Sequence, residues 1–128
     1  MRTALETERA LGHTPQEMEH NNPGYDIESL DGQTGRLRFL EVKGKLEEYG
    51  TVTVSRTQIL TALNKPDDWF LVVVPIARMG EGDEETLTPG EPFYLQRPFS
   101  KEPDFAATSV NFDLHTLLGG NAEGSNIL

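Results

Sequence analysis

The run WFLVVVPIA, residues 69–77, is the most apolar segment of the chain and reads as a buried central strand. Around such a strand the remaining sequence must supply covering elements. MRTALETERAL, residues 1–11, is rich in helix formers, and Gly12 is a natural stop. That helix begins almost at the first residue, a start that fits a complete protein and a piece of a longer one equally. Residues 16–20 are expected to form a short strand before the turn NNPG. GYDIESL alternates apolar and polar residues, DGQTG is a turn cluster, and RLRFLEVKG resumes the alternation through Leu37 and Phe39, then, after a slip, Leu40 and Val42. This pattern predicts a β-hairpin.

GTVTV is a further β-rich run. SRTQILTALNK predicts a helix, with Ser55 as N-cap, Ile59, Leu60 and Leu63 at helical spacing, and Pro66 closing it. Beyond the central strand, MGEGDEETLTPGE reads as a solvated acidic linker whose charge is wrong for a phosphate cradle. PFYLQRPF is expected to be one more strand, VNFDLHTLL a short helix, and GGNAEGSNIL a frayed tail. The order gives an α/β (α+β) domain with one mixed central β-sheet flanked by helices. It is a single domain over residues 1–118, with a flexible tail at 119–128.

The 128 residues suit one core. Cysteine is absent, which removes disulfides and thiolate–metal sites. No apolar run approaches the roughly 18 residues that span a bilayer, and no signal-peptide pattern opens the chain, so the expectation is a cytoplasmic, bacterial protein. His13, His20 and His115 show no ligand spacing, which argues against zinc. There is no serine-nucleophile elbow, phosphate-binding loop or dinucleotide fingerprint.

Net charge is −10, which argues against a polyanionic partner. Its distribution reverses that locally: residues 1–35 carry −5 and residues 66–128 carry −8, while residues 36–65 carry +3. Screening confines exposed charges to about 8–10 Å, so a basic middle segment can still meet phosphate.

Within the hairpin, Glu41 and Lys43 share a strand face because they are two residues apart. Pairing across DGQTG lets Asp26 lie opposite the Glu41 end of the returning strand. Two carboxylates and an ammonium then converge. Oxygen ligands of this kind suit a hard cation, Mg²⁺ or in its place Mn²⁺, and Mg²⁺ keeps several waters while taking one or two carboxylates. A metal-activated water and a nearby lysine are the parts needed to attack a phosphodiester. An acidic-x-Lys triplet by itself arises easily among 21 acidic residues, and alone it reads as a solvated salt bridge.

NNPGYDIES followed by LRFLEVKG, the short VTVSR strand and a helix before WFLVVV resembles the PD-(D/E)XK, restriction-endonuclease-like superfamily. More narrowly it resembles the C-terminal domain family named after the plant protein NO VEIN, over about residues 5–118. ERALG, LNKPDDWFLVVV and RPFSKEPDFAATSVNFDL look similar to the end of a bacterial Swi/Snf-type helicase polypeptide, a context tied to restriction and phage defence. The resemblance implies that Asp26 and Glu41 are metal ligands and Lys43 the charge-stabilising group. It also implies a helix-one glutamate as third ligand, Glu8 or, alternatively, Glu6.

Arg56 and Gln58 open the second helix, where backbone N–H groups and a guanidinium can hold a phosphate; the plain alternative is a surface arginine near a cap. Lys45 and Lys65 are expected nucleic-acid contacts on the same reasoning, while Tyr25 and Trp69 read as packing residues. The leading expectation is a Mg²⁺-dependent DNA endonuclease domain delivered by a helicase or translocase module, with a homodimer as the assembly that would cut both strands. The alternative is a nuclease-fold module that binds nucleic acid or a protein partner without cutting. A third option is an adaptor whose carboxylates are merely solvated.

Overall fold

The computed structural model describes residues 1–46 and 50–120, the last three by backbone alone. In chain order the elements are α1 (Arg2–Ala10), β1 (Thr14–Glu17), β2 (Ile27–Leu30), β3 (Leu37–Leu46), β4 (Thr51–Ser55) and α2 (Arg56–Asn64). There follow β5 (Trp69–Met79), a single 3-10 turn (Gly82–Glu84), β6 (Thr86–Pro89), β7 (Phe93–Gln96), β8 (Ser109–Asp113) and α3 (Leu114–Gly120).

β5 occupies the centre, as its apolar run requires. On one side it pairs in parallel with β3, Phe39 opposite Trp69 through Leu46 opposite Ile76. On the other it pairs antiparallel with β7 along Phe70–Val73 and with β6 along Ile76–Met79. β2 and then β1 extend the sheet beyond β3, both antiparallel, to complete six strands. A parallel pair needs a long crossover, and the path from β3 to β5 through β4 and α2 supplies it.

Successive side chains of β5 point to opposite faces. Phe70, Val72 and Val74 pack with Ala4 of α1, Ile27, Leu40 and Tyr94. Trp69, Leu71 and Val73 pack with Val52 and Val54 of β4, Ile59 and Ala62 of α2, Leu95 and Phe99. Thus α1 covers one face, while α2 and the antiparallel β4–β8 pair cover the other. No helix among the described residues is long and apolar enough to cross a membrane.

The hairpin forms where the alternation places it, with Leu30 opposite Leu37 across the turn. Asp31 Oδ1 accepts the N–H groups of Gln33 and Thr34 at 2.8 and 3.0 Å, and Gly35 takes a φ of +74° that favours glycine. α2 starts at a full capping box: Ser55 Oγ accepts the Gln58 N–H at 3.1 Å, and Gln58 Oε1 accepts the Ser55 N–H at 2.9 Å.

Four expectations shift. The first strand is residues 14–17 rather than 16–20. β3 contains no slip: its register is continuous, and both its faces are covered by the layers described above. The acidic stretch after β5 is not a plain linker, because β5 runs on to Met79 and its open edge there is taken by β6. The front of VNFDLHTLL is strand, since residues 109–113 pair with β4, and helix begins only at Leu114. Residues 119–120 belong to α3, and the rest of the expected tail, residues 121–128, lies outside the described residues.

Candidate active site

β3 carries two sets of side chains that face opposite layers. Phe39, Glu41, Lys43 and Lys45 lie at positions matching Trp69, Leu71, Val73 and Pro75 of β5, on the α2 side. Arg38, Leu40 and Val42 alternate to the α1 side.

β2 pairs Ile27 with Leu40, and the Asp26 N–H also donates to the Leu40 carbonyl, at 2.8 Å and one residue out of step with that register. The pairing of β2 with β3 stops at Ile27, and Asp26 is placed at the Glu41 end of β3 by this out-of-register bond. Beyond it the chain leaves the sheet, so the next N–H of β3 on that edge, that of Val42, has no strand partner. Asp26 Oδ2 accepts it at 2.8 Å. The carboxylate of Asp26 is therefore held by backbone beside the root of Glu41.

Glu41 is 4% exposed. Burial, and after it the charge of Asp26, pushes its carboxyl up to about 7, against the opposing pull of Lys43. The Lys43 ammonium lies 3.3 Å from Glu41 Oε2. It also donates to Gln58 Oε1 at 3.2 Å, which ties the site to the first turn of α2. Lys43 keeps 21% of its side chain open to solvent, so the ammonium sits at a rim and not in the core.

This arrangement makes stability depend on pH. The folded-state pKa of Glu41 is raised, so its contribution is fully present below about pH 4.5 and is lost as pH rises through about 7. The loss is on the order of 3 kcal/mol. Urea unfolding in EDTA from pH 4.5 to 8 is expected to show this decline, and Glu41→Gln is expected to flatten it.

Glu8 is not brought to this cluster. Its carboxylate lies on the α1 side, fully buried, where Arg38 Nε and Nη2 donate to its two oxygens at 3.1 and 3.2 Å and Tyr94 Oη donates at 2.7 Å. Burial works to raise its pKa, but the bonds from Arg38 and Tyr94 outweigh burial and hold it below the usual carboxylate range. Arg38 in turn stacks over Phe70, 4.5 Å from the ring centroid. Glu6 is exposed on α1 and pairs with Arg2 at 3.5 Å. The expected helix-one ligand Glu8 is thus engaged by Arg38 and Tyr94, on the face of β3 opposite Glu41. Among the described residues no group of three histidines or carboxylates is assembled to hold a metal.

Of the expected nucleic-acid contacts, Gln58 belongs to the site through Lys43. Arg56 Nη1 donates to the Asp104 carbonyl at 2.9 Å and the Pro103 carbonyl at 3.4 Å, so it anchors the 97–108 loop instead of being held out for a phosphate. Lys65 sits over the Phe39 ring at 4.9 Å, and Tyr25 packs edge-on to the same ring. Lys45 follows Lys43 on the same face of β3. Trp69 is buried against Phe99, and its Nε1 donates to the Gly24 carbonyl at 3.0 Å. A Cβ on Gly24 would come 2.7 Å from Thr61 Oγ1, so this glycine lets the turn before Asp26 press against α2.

Sequence reading missed Arg38 and Tyr94. The arginine's position, one residue out of phase with Glu41 in a strand covered on both faces, was the available signal.

The solved structure of Archaeoglobus fulgidus Hjc, a Holliday junction resolvase from an archaeal hyperthermophile, superposes with a TM-score of 0.51. The match has 10% sequence identity and covers 91% of this chain and 90% of that one. At this identity the likeness establishes the fold, which is restriction-endonuclease-like. No curated protein matches the chain. Residues 1–88, from α1 through most of β6 and including Asp26, Glu41, Lys43 and Gln58, match the family model described as Protein NO VEIN, C-terminal, and the chain belongs to that family.

Proposed function

We propose that this nuclease-like domain is a divalent-metal-dependent phosphodiesterase acting on DNA, with Asp26 and Glu41 as metal ligands and Lys43 as the charge-stabilising group. The observation that carries the reading is the meeting of three groups: the Asp26 carboxylate, held beside Glu41 by the Val42 N–H at 2.8 Å, Glu41 itself, and the Lys43 ammonium 3.3 Å from Glu41 Oε2. The donor set fits a hard cation: two carboxylate side chains meet at one point, and the Asp26 charge raises the pKa of Glu41. A second positive charge there would relieve that repulsion. Two carboxylates suffice for Mg²⁺, with Mn²⁺ as a substitute, because Mg²⁺ usually retains waters and substrate oxygens as its other ligands.

A bound cation would polarise the phosphoryl group and activate a water. Asp26 is oriented for binding by the Val42 N–H, and Glu41 by its burial and by Lys43. Lys43 places a positive charge where negative charge develops on the phosphate oxygens. Lys45, on the same face of the strand, extends that basic edge toward the DNA backbone, and Lys65, over the Phe39 ring at the end of α2, adds a further charge on that side of the sheet. Delivery by a fused or associated helicase in restriction or phage defence, a cytoplasmic setting and a homodimer able to cut both strands remain part of the proposal.

The test is cleavage of labelled single-stranded, duplex and four-way-junction DNA by the purified protein in Mg²⁺ or Mn²⁺. Cutting that stops with EDTA is the expected result. Intact DNA of all three kinds at micromolar protein would sink the catalytic reading. It would leave the non-cutting binding module, which the net charge of −10 favours.

A further inference from the structure

We infer that Gln58 is a positioning residue that fixes the Lys43 ammonium beside Glu41, and that the neutral amide at this helix position is required by the site. The inference rests on the reading of Asp26, Glu41 and Lys43 as the reacting centre. Gln58 Oε1 accepts two hydrogen bonds at once, from the Ser55 N–H at 2.9 Å and from Lys43 Nζ at 3.2 Å. The first bond is half of the capping box that starts α2. The second reaches across to β3, fifteen residues back in the chain.

A capping box accepts glutamate at this position as readily as glutamine, since either side chain reaches back to the N-cap N–H. Helix formation alone therefore does not select Gln58. The difference lies in the second bond. A carboxylate at residue 58 would form an ion pair with Lys43 and compete with Glu41 for the same ammonium. It would also add a third negative charge beside two carboxylates that already repel. An amide oxygen accepts the Lys43 hydrogen bond without cancelling its charge, so the ammonium is held in place and remains available to a phosphate. The cap and the site thus share one atom, and the register between α2 and β3 sets where the lysine charge stands.

The experiment compares Gln58→Glu, Gln58→Met and Ser55→Ala with wild type by melting temperature, by kcat and KM for Mg²⁺-dependent DNA cleavage, and by the ¹H–¹⁵N ammonium signal of Lys43. Only four lysines occur in the chain, so that signal can be assigned by single substitutions. Gln58→Glu is expected to melt near wild type yet to lose about tenfold or more in kcat with KM little changed. Ser55→Ala, which weakens the cap alone, is expected to melt lower with kcat preserved. Gln58→Met is expected to speed solvent exchange at the Lys43 ammonium several-fold. A kcat that simply follows melting temperature across the three variants would overturn the inference. So would a Lys43 signal unchanged in Gln58→Met. Should wild type cut no DNA, the catalytic reading fails by itself, and the Lys43 signal still decides whether Gln58 holds the ammonium.

Discussion

Glu8→Ala is expected to destabilise the protein by about 3–5 kcal/mol, the cost of removing one partner from a buried ion pair. The Arg38 side chain is only 11% exposed and donates twice to the missing carboxylate. Its charge would be left against Phe70 and Tyr94 with no anion to balance it, and the Tyr94 hydroxyl would lose its acceptor as well. Replacing both charges by apolar groups avoids that penalty, so Glu8→Ala combined with Arg38→Met is expected to recover much of the loss. Urea unfolding at pH 7 measures both. The pair also has its own pH signature. Because the Glu8 pKa is lowered in the fold, its stabilisation is present above the ordinary carboxylate pKa and disappears as pH falls below it. The Glu41 effect runs the opposite way and above that point, so the two windows can be separated. A Glu8→Ala protein as stable as wild type would mean that the α1 face is organised by something other than this network.

Glu41→Gln and Lys43→Ala are each expected to reduce DNA cleavage by about 100-fold or more while leaving the fold intact. Glu41→Gln removes a buried charge that Asp26 already disfavours, so this variant is expected to be more stable than wild type above pH 7. Lys43→Ala removes an ammonium at the site rim, 21% open to solvent, and its stability cost is expected to be small next to that of Glu8→Ala. Lost activity accompanied by unchanged or improved stability is what separates a reacting group from a structural one. Cleavage rates measured beside urea midpoints for both variants make that distinction. Activity within threefold of wild type in either variant would remove that residue from the mechanism.

Local patterning carried most of what positions Asp26, Glu41 and Lys43. The alternation of GYDIESL and RLRFLEVKG around a turn cluster was enough to define a hairpin, and its pairing from Leu30–Leu37 to Ile27–Leu40 brings Asp26 to the Glu41 end of β3. The i, i+2 spacing then puts Lys43 on the face of Glu41 without further information. The cap at Ser55 was equally local. Glu8 was not legible, because a nine-residue helix can turn either Glu6 or Glu8 toward the sheet, and the choice is made by Arg38, thirty residues on. The role of Arg56 was hidden for the same reason, since its partners are carbonyls 47 and 48 residues away. β6 and β8 are strands by pairing more than by composition. Thr86–Pro89 is exposed throughout and is ordered along the free edge of β5. Val110 and Phe112 did alternate with Asn111 and Asp113, a period-two signal overridden by the leucines that follow.

Asp26 and Glu41 are proposed to form one cation site on the α2 face of the sheet, with Glu8 outside it. Calorimetric titration of wild type, Asp26→Ala, Glu41→Ala and the Glu8→Ala/Arg38→Met double variant with Mg²⁺ and Mn²⁺ tests it most directly. Binding is expected in wild type and in the double variant, with loss in each of the two single variants. Binding that survives Asp26→Ala and Glu41→Ala, or that disappears with Glu8, would contradict it.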